Sequence, residues 1–261
     1  MTRWIAIAAL AVAVGVAAQE REQCRYEAER SANIEASAGD RLVLVARAGS
    51  LRVEGRSGIT RVQVRGRACA SSEDLLERLQ LESGRSGGVV RVEMPEFEQG
   101  WSFGRDRYAR LDLVLEVPAG MVAEITDGSG AAVLRGLGRL RVDDGSGELT
   151  IEDIGGDLTV EDGSGGTTVR GVRGDVTIED GSGEVELADV TGSVTLDDGS
   201  GGIDITGVGG SVRIDDGSGS IAVEDVRGDF TVSDDGSGSI RHSGVQGRVQ
   251  IPERGRSRRR G

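Results

Sequence analysis

Apolar and polar residues alternate through much of this 261-residue chain. In the stretch from Asp144 to Asp162, DGSGELTIEDIGGDLTVED, residues Leu149, Ile151, Leu158 and Val160 are apolar. The residues Thr150, Glu152, Thr159 and Glu161 between them are polar. A period of two marks a β-strand with one buried face. The strands are punctuated by Asp-Gly-Ser-Gly, which begins at Asp127, Asp144, Asp162, Asp180, Asp198, Asp216 and Asp235, in steps of 17, 18, 18, 18, 18 and 19 residues. Each unit therefore holds two short strands, a softer corner near Ile154-Gly155-Gly156 and a tight DGSG corner. One such unit cannot bury an apolar face alone, but a stack of copies can.

The predicted fold is all-β: a parallel β-helix (β-solenoid) of about 18-residue coils with a more irregular N-terminal β part and one short helix. Strands of successive units pair in register about 4.8 Å apart, so seven units make a rod of roughly 34 Å. Leu149, Ile151, Ile154, Leu158 and Val160 fill the interior, with Val169, Val172, Val176 and Ile178 as their equivalents one unit on. A right-handed coil is favoured because parallel crossovers are usually right-handed. Left-handed hexapeptide helices also use three sixes, and Ile154 to Thr159 partly fits their pattern, whereas Gly166 to Gly171 does not. The long last step predicts a bulge or altered corner near Ser233-Asp234-Asp235.

Four segments are expected: a signal peptide over 1–18, an N-terminal β region over 19–120, the regular DGSG solenoid over 121–251, and an Arg-rich disordered tail over 252–261. In the second segment, strands are predicted from near Asn33, over Arg41 to Ala48, around Ser50 to Gly55, over Val62 to Gly66, Val89 to Met94 and Leu111 to Val117. Ser71 to Leu81 is the one helical candidate, with Ser71 or Ser72 as cap, Glu73 and Asp74 in the first turn, and Leu75, Leu76 and Leu79 at helical spacing. Pro95 to Arg110 reads as an irregular loop carrying Phe97, Trp101, Phe103 and Tyr108. Pro252, which cannot donate to a β ladder, is a plausible stop.

Arg3, the apolar run Ile5 to Val14 and the small residues Val16-Ala17-Ala18 match a secretory leader cleaved before Gln19. The run is short for a membrane span, and no other stretch approaches about 20 apolar residues, so no transmembrane segment is expected in the mature chain. A secreted, periplasmic or cell-envelope location follows. There an even pair of cysteines, Cys24 and Cys69, points to one disulfide. Closing that loop stabilises by about 3–4 kcal/mol in the chain-entropy model. The net charge of −13 argues against nucleic acid as a partner. The tail from Arg254, with five Arg, is the exception, and anionic lipid or lipopolysaccharide is one surface it suits.

The chemistry-bearing feature is the repeated Asp. In register, seven Asp side chains stack at one corner, beside Asp143, Glu161, Glu179, Asp197, Asp215 and Asp234. Like charges that close repel. Turn N–H groups and Ser hydroxyls can accept the task of stabilising them. Alternatively Ca²⁺ sits between coils, held by Asp144, Asp162, Asp180, Asp198 and Asp216. No cofactor is otherwise implied, and the calcium-binding nonapeptide pattern is absent at its proper spacing. Catalysis has little support: His242 is the single His and has no metal-ligand cluster, and the DGSG turns lack the Lys and following helix of a phosphate loop. Trp101, Phe103 and Tyr108 form a candidate contact loop, which either folds back to cap the solenoid or binds sugar or protein.

The degenerate coil SLRVEGRSG, the strand ending in VPAG before the first DGSG, and the run of G-S-G-x-φ-x-φ units (φ, apolar) resemble the bacterial putative-adhesin family over about residues 33–251. That resemblance implies a secreted or envelope β-solenoid with no assigned catalytic residue. The family commonly has Asn-Gly-Asp at the tight corner, where this chain has Asp-Gly-Ser-Gly. The expected function is a non-enzymatic, adhesin-like or structural scaffold whose partner is an envelope protein or a surface glycan. The alternative is a polysaccharide-binding or polysaccharide-acting β-helix. A groove of clustered aromatics and Arg along one face favours the alternative; a uniform face of Thr, Ser and Asp favours the scaffold.

Overall fold

The computed structural model describes residues 24–95 and 107–252. The first stretch contains β1 (Tyr26–Glu35), β2 (Arg41–Val45), β3 (Leu51–Arg56), β4 (Arg61–Ala70), α1 (Glu73–Arg78), β5 (Glu82–Ser86) and β6 (Val89–Glu93). The second opens with β7 (Ala109–Pro118), β8 (Val122–Asp127) and β9 (Ala132–Arg135). The regular coils then alternate between two sheets. One receives β10 (Leu140–Asp144), β12 (Leu158–Asp162), β14 (Val176–Asp180), β16 (Val194–Asp198), β18 (Val212–Asp216), β20 (Phe230–Val232) and β22 (Val249–Gln250). The other receives β11 (Gly147–Ile154), β13 (Gly165–Val172), β15 (Gly183–Val190), β17 (Gly201–Val208), β19 (Gly219–Val226) and β21 (Gly238–Ser243).

Both sheets have 11 strands and face each other across one continuous apolar core that runs from Ala36 to Val232. From β8 and β9 onward all pairing is parallel and in register. Leu158 lies beside Leu140 and Val176, and Ile151 beside Leu134 and Val169. The expected interior positions Leu149, Ile151, Ile154, Leu158, Val160, Val169, Val172, Val176 and Ile178 are all buried. Ile154 is three residues past Ile151, which breaks strict alternation. Asp153 between them has φ 56°, and this left-handed residue turns the chain so that Ile154 points inward again. The same position is Gly171, Asp189, Gly207 and Asp225 in the next coils, all with positive φ. Asp beneath Gly in alternate coils keeps these exposed carboxylates two coils apart.

The N-terminal end departs from sequential stacking. β2 and β3 lie between β8 and β9 on one side and β6 and β7 on the other. β7 separates β3 from β4, running parallel to the first and antiparallel to the second, and β1 pairs antiparallel with β4. Strand β1 starts at Tyr26, well before the expected Asn33, because it pairs with β4 along its whole length. β5 was not foreseen, since ESGRS has no apolar alternation; it forms by hairpin pairing with β6. The helix is shorter than the predicted span. Ser72 caps it, its Oγ accepting from the Leu75 amide at 3.4 Å, and Leu79 ends it.

The long last step is absorbed where expected. β20 stops at Val232, the Asp216 amide donates to the Asp234 carbonyl, and register returns with Gly219 beside Gly238. Asp235 therefore regains its place beside Asp216, whose carboxyl its charge helps to raise, but it is only half-buried, so six of the seven corner aspartates are buried.

Candidate functional site

The strand pattern fixes where the corner aspartate points. In β12, Leu158, Val160 and Asp162 share one face, and Thr159 and Glu161 the other. The first Asp of DGSG is thus the third inward-facing residue of its strand. Asp127, Asp144, Asp162, Asp180, Asp198 and Asp216 are all buried, in a column against the apolar core. The sequence reading placed them at the corner but not inside it; the φ-x-φ-x-D parity carried that signal.

Turn chemistry satisfies only part of the column. Oδ1 of Asp162, Asp180 and Asp198 accepts from the amide two residues on, Ser164, Ser182 and Ser200, at 3.0, 3.1 and 3.0 Å. Asp162 also accepts at Oδ2 from the hydroxyl of Thr167, at 2.8 Å. Thr167 is itself fully buried, at an interior position filled by Leu149 and Val185 in the adjoining coils. Among the described residues, both oxygens of Asp127, Asp144 and Asp216, and Oδ2 of Asp180 and Asp198, have no hydrogen-bond partner.

A buried carboxyl without partners favours its neutral form. Burial raises Asp127 to about 6 and Asp198 to about 6 from the ordinary value of 3.8. Asp144 rises to about 7, through burial first and then through the charges of Asp127 and Asp162 on either side. The Ser146 amide opposes this rise without closing a hydrogen bond. Asp180 and Asp216 are raised too, again chiefly by burial. Asp40, near the N-terminal end, is also buried but shifts the other way. Arg85 donates to it at 2.8 Å and the Ser37 amide at 2.8 Å, and its carboxyl is held below the ordinary range.

Outside this column lies a second acidic row, Asp143, Glu161, Glu179, Asp197 and Asp215, in register and facing solvent. Both rows line an open groove of about 500 Å³ along the DGSG corners. Arg141 pairs with Glu161 across two coils. Among the described residues no group of three or more His, Cys, Asp or Glu is arranged to hold a metal ion. The calcium candidates Asp144, Asp162, Asp180, Asp198 and Asp216 thus share one column but turn towards the core.

A third column was missed. At the entry to the same strands stand Arg139, Asp157, Asp175, Ser193, Ser211, Asp229 and Arg248. Asp157 accepts from the Asp175 amide at 3.3 Å, Asp175 from Ser193 at 2.8 Å, Ser193 from Ser211 at 3.2 Å, Ser211 from Asp229 at 3.1 Å, and Asp229 from Arg248 at 2.8 Å. Arginines close both ends: Arg139 meets Asp157 at 3.1 Å and Arg248 meets Asp229 at 3.0 Å. The recurrence of Asp or Ser every 18 residues at this place was the available signal.

Cys24 and Cys69 form the expected disulfide, with Cα atoms 5.4 Å apart. Of the candidate contact loop, Trp101 and Phe103 lie outside the described residues. Tyr108 is part exposed and folds back, its hydroxyl accepting from the Arg25 amide at 3.0 Å and its own amide donating to Ser71 Oγ at 3.1 Å. His242 takes the interior place of Val223 in the last coil, with its ring 5.9 Å from that of Phe230. On the outer face of β12, β14 and β16 the pairs are Thr159, Thr177 and Thr195 beside the acidic row. Phe230 is the one Phe, Trp or Tyr between Met121 and Pro252, and it is buried.

No helix of the described residues is long and apolar enough to cross a membrane. No family model matches the chain, and no curated protein matches it. Solved structures similar to it include "a putative adhesin" from Bacteroides fragilis, at 11% identity and TM-score 0.44, covering 87% of this chain and 98% of that one. A "putative lipid binding protein" from Parabacteroides distasonis is 13% identical with TM-score 0.42, over 86% and 97% of the two chains. A "putative cell adhesion protein" from Clostridium sporogenes is 13% identical with TM-score 0.32, over 87% and 99%.

Proposed function

We propose that this chain is a non-enzymatic, adhesin-like or structural scaffold of the cell envelope, which contacts an envelope protein or a surface glycan through its flat strand faces. The observation that carries the reading is the in-register outer face of β10 to β18. There a row of carboxylates repeats with every coil, beside a row that is Thr159, Thr177 and Thr195 in the middle coils and Arg141 and Arg213 at its two ends. A rigid periodic array presents one weak contact many times, which favours a repetitive or multivalent partner. Among the described residues this face holds no cluster of aromatics and arginines, the feature on which a polysaccharide-cleaving reading depends.

The test is binding of the chain to isolated envelope fractions and to arrayed glycans, compared with a variant carrying Glu161→Arg and Glu179→Arg. Loss of binding in the variant, with unchanged thermal unfolding, supports the reading. Depolymerisation of an acidic polysaccharide would replace it with the enzymatic alternative. The scaffold needs no resident metal. Calcium at the Asp column is the competing account of how those carboxylates are stabilised, and melting with millimolar Ca²⁺ against chelator separates the two: a large calcium-dependent rise supports the ion.

A further inference from the structure

The two ends of the stack are finished differently. At the N-terminal end α1 lies over the core, with Leu75 and Leu79 fully buried. Arg30 of β1 donates to the carbonyls of Leu79 and Leu76 at 2.7 and 3.0 Å, which ties the end of the helix to the outermost strand. The disulfide Cys24–Cys69 lies in the same region. At the C-terminal end the last coil repeats the interior pattern but nothing described covers it. Ile240 and His242 stand on the positions of Ile221 and Val223, and Val249 on that of Phe230. Those three earlier residues are completely buried, whereas Val249 and Ile251 are 39% and 36% exposed and His242 is exposed.

The charge changes at the same place. From Gly236 to Pro252 there is no Asp or Glu, although every preceding DGSG coil contains at least two. Residues 236–261 carry seven Arg and one Glu, a net +6, which leaves −19 on the rest of the chain. The nine residues after Pro252 contain no apolar side chain, so they add charge but not apolar cover. A second copy docked by the same end would bring two such clusters together, and like charges oppose that. An exposed apolar end that carries Arg241 and Arg248, with five more Arg following in the sequence, instead suits a surface that offers anionic headgroups over hydrocarbon, because aliphatic groups insert while arginines stay at headgroup level.

We infer that the C-terminal end of the solenoid docks on an anionic lipid surface and that the rod stands out from it. This contact is separate from the side faces and holds whichever partner those faces bind. The test is co-sedimentation with phosphatidylcholine vesicles, either neutral or containing phosphatidylglycerol as roughly one lipid in three. The chain used begins at Gln19, which keeps every described residue and omits the apolar Ile5–Val14 run that would itself enter lipid. The expected result is binding to the anionic vesicles alone, weakened at least about fivefold by Arg241→Glu with Arg248→Glu, and also by Val249→Ser with Ile251→Ser. Thermal unfolding of each variant reports its fold; should a double variant unfold, the exposed single change Arg241→Glu keeps the test. Equal binding to neutral vesicles, or none to anionic ones, overturns the inference. So does binding indifferent to Val249→Ser with Ile251→Ser, which would reduce it to a general attraction for polyanions. Self-association without vesicles, abolished by the same pair, would instead make a second copy the occupant.

Discussion

Two columns of carboxylates run along the same strands and differ in almost every physical respect. The entry column, Asp157, Asp175 and Asp229 with Ser193 and Ser211, faces water, and each side chain caps the backbone amide of the next coil. The exit column, Asp127 to Asp216, faces the core, and half its members bond to nothing among the described residues. Asp229, holding the Arg248 amide and then its guanidinium, has its carboxyl below the ordinary range. Asp144, one coil pattern away in kind, is pushed to about 7. Two aspartates repeated at the same spacing are therefore shifted in opposite directions, Asp229 down and Asp144 up. Position relative to the core decides which, not the residue type.

The corners that carry the columns should separate most sharply. At the exit, the fourth residue of DGSG has no room: a Cβ on Gly165, whose φ is 141°, would lie 1.7 Å from the Gly147 carbonyl oxygen. Gly165→Ala should cost at least about 3–4 kcal/mol, by strain and separation of the coils. At the entry corner a Cβ on Gly155 meets its nearest atom at 3.5 Å. Gly155→Ala should change stability by less than about 1 kcal/mol. Denaturant unfolding of the two variants checks the contrast, and equal losses would dissolve it.

The exit column should also give the protein an unusual pH response. Asp127, Asp144, Asp180, Asp198 and Asp216 bind protons more tightly folded than unfolded, so the folded state holds more protons between the two sets of values. Stability then falls as pH rises from about 4, with the full penalty present above about 7. Asp144→Asn, which cannot ionise, should gain about 2–4 kcal/mol at pH 8 and nothing at pH 4. Melting curves of both proteins across this window read the effect; a gain independent of pH would assign it to packing. Asp229→Asn in the entry column, where the carboxyl lies below the ordinary range, should show no such gain.

Thr167 offers a finer test. Thr167→Val removes a partner from Asp162 and should cost about 1–3 kcal/mol. Val185 stands in the same relation to Asp180, whose Oδ2 is unpartnered. Val185→Thr should therefore stabilise by about 1 kcal/mol, opposite in sign to the usual cost of placing a hydroxyl in a core. Stability measured for both variants decides it. The smallest effect is expected at the capped end of the entry column, where Arg139→Ala should cost no more than about 0.5 kcal/mol, because the pair is exposed.

Much of this architecture was legible in the chain itself. The 18-residue recurrence, the strand parity and the corner glycines dictate a stack of parallel coils, since only repetition lets so short a unit bury its apolar face. The same parity placed Asp162 on the face of Leu158 and Val160, but a polar residue before a turn reads as a corner residue unless the count is carried through. The cysteine pair was legible because few alternatives existed. The entry column was hidden because Asp and Ser alternate there without a fixed motif.

What the tertiary structure alone decided lies mainly at the ends. In the regular coils each strand's neighbour is the next copy of itself, so local pattern and long-range pairing agree. In the first hundred residues the strands are unlike one another, and pairing depends on partners far apart in the chain. Thus β7 inserts between β3 and β4, and β2 and β3 become the seat on which β8 and β9 stack. The burial of the Asp column belongs to the same class. The sequence sets which way each Asp points, whereas the opposing sheet and the coils above and below remove the water, and only that desolvation turns a surface acid into a nearly neutral one.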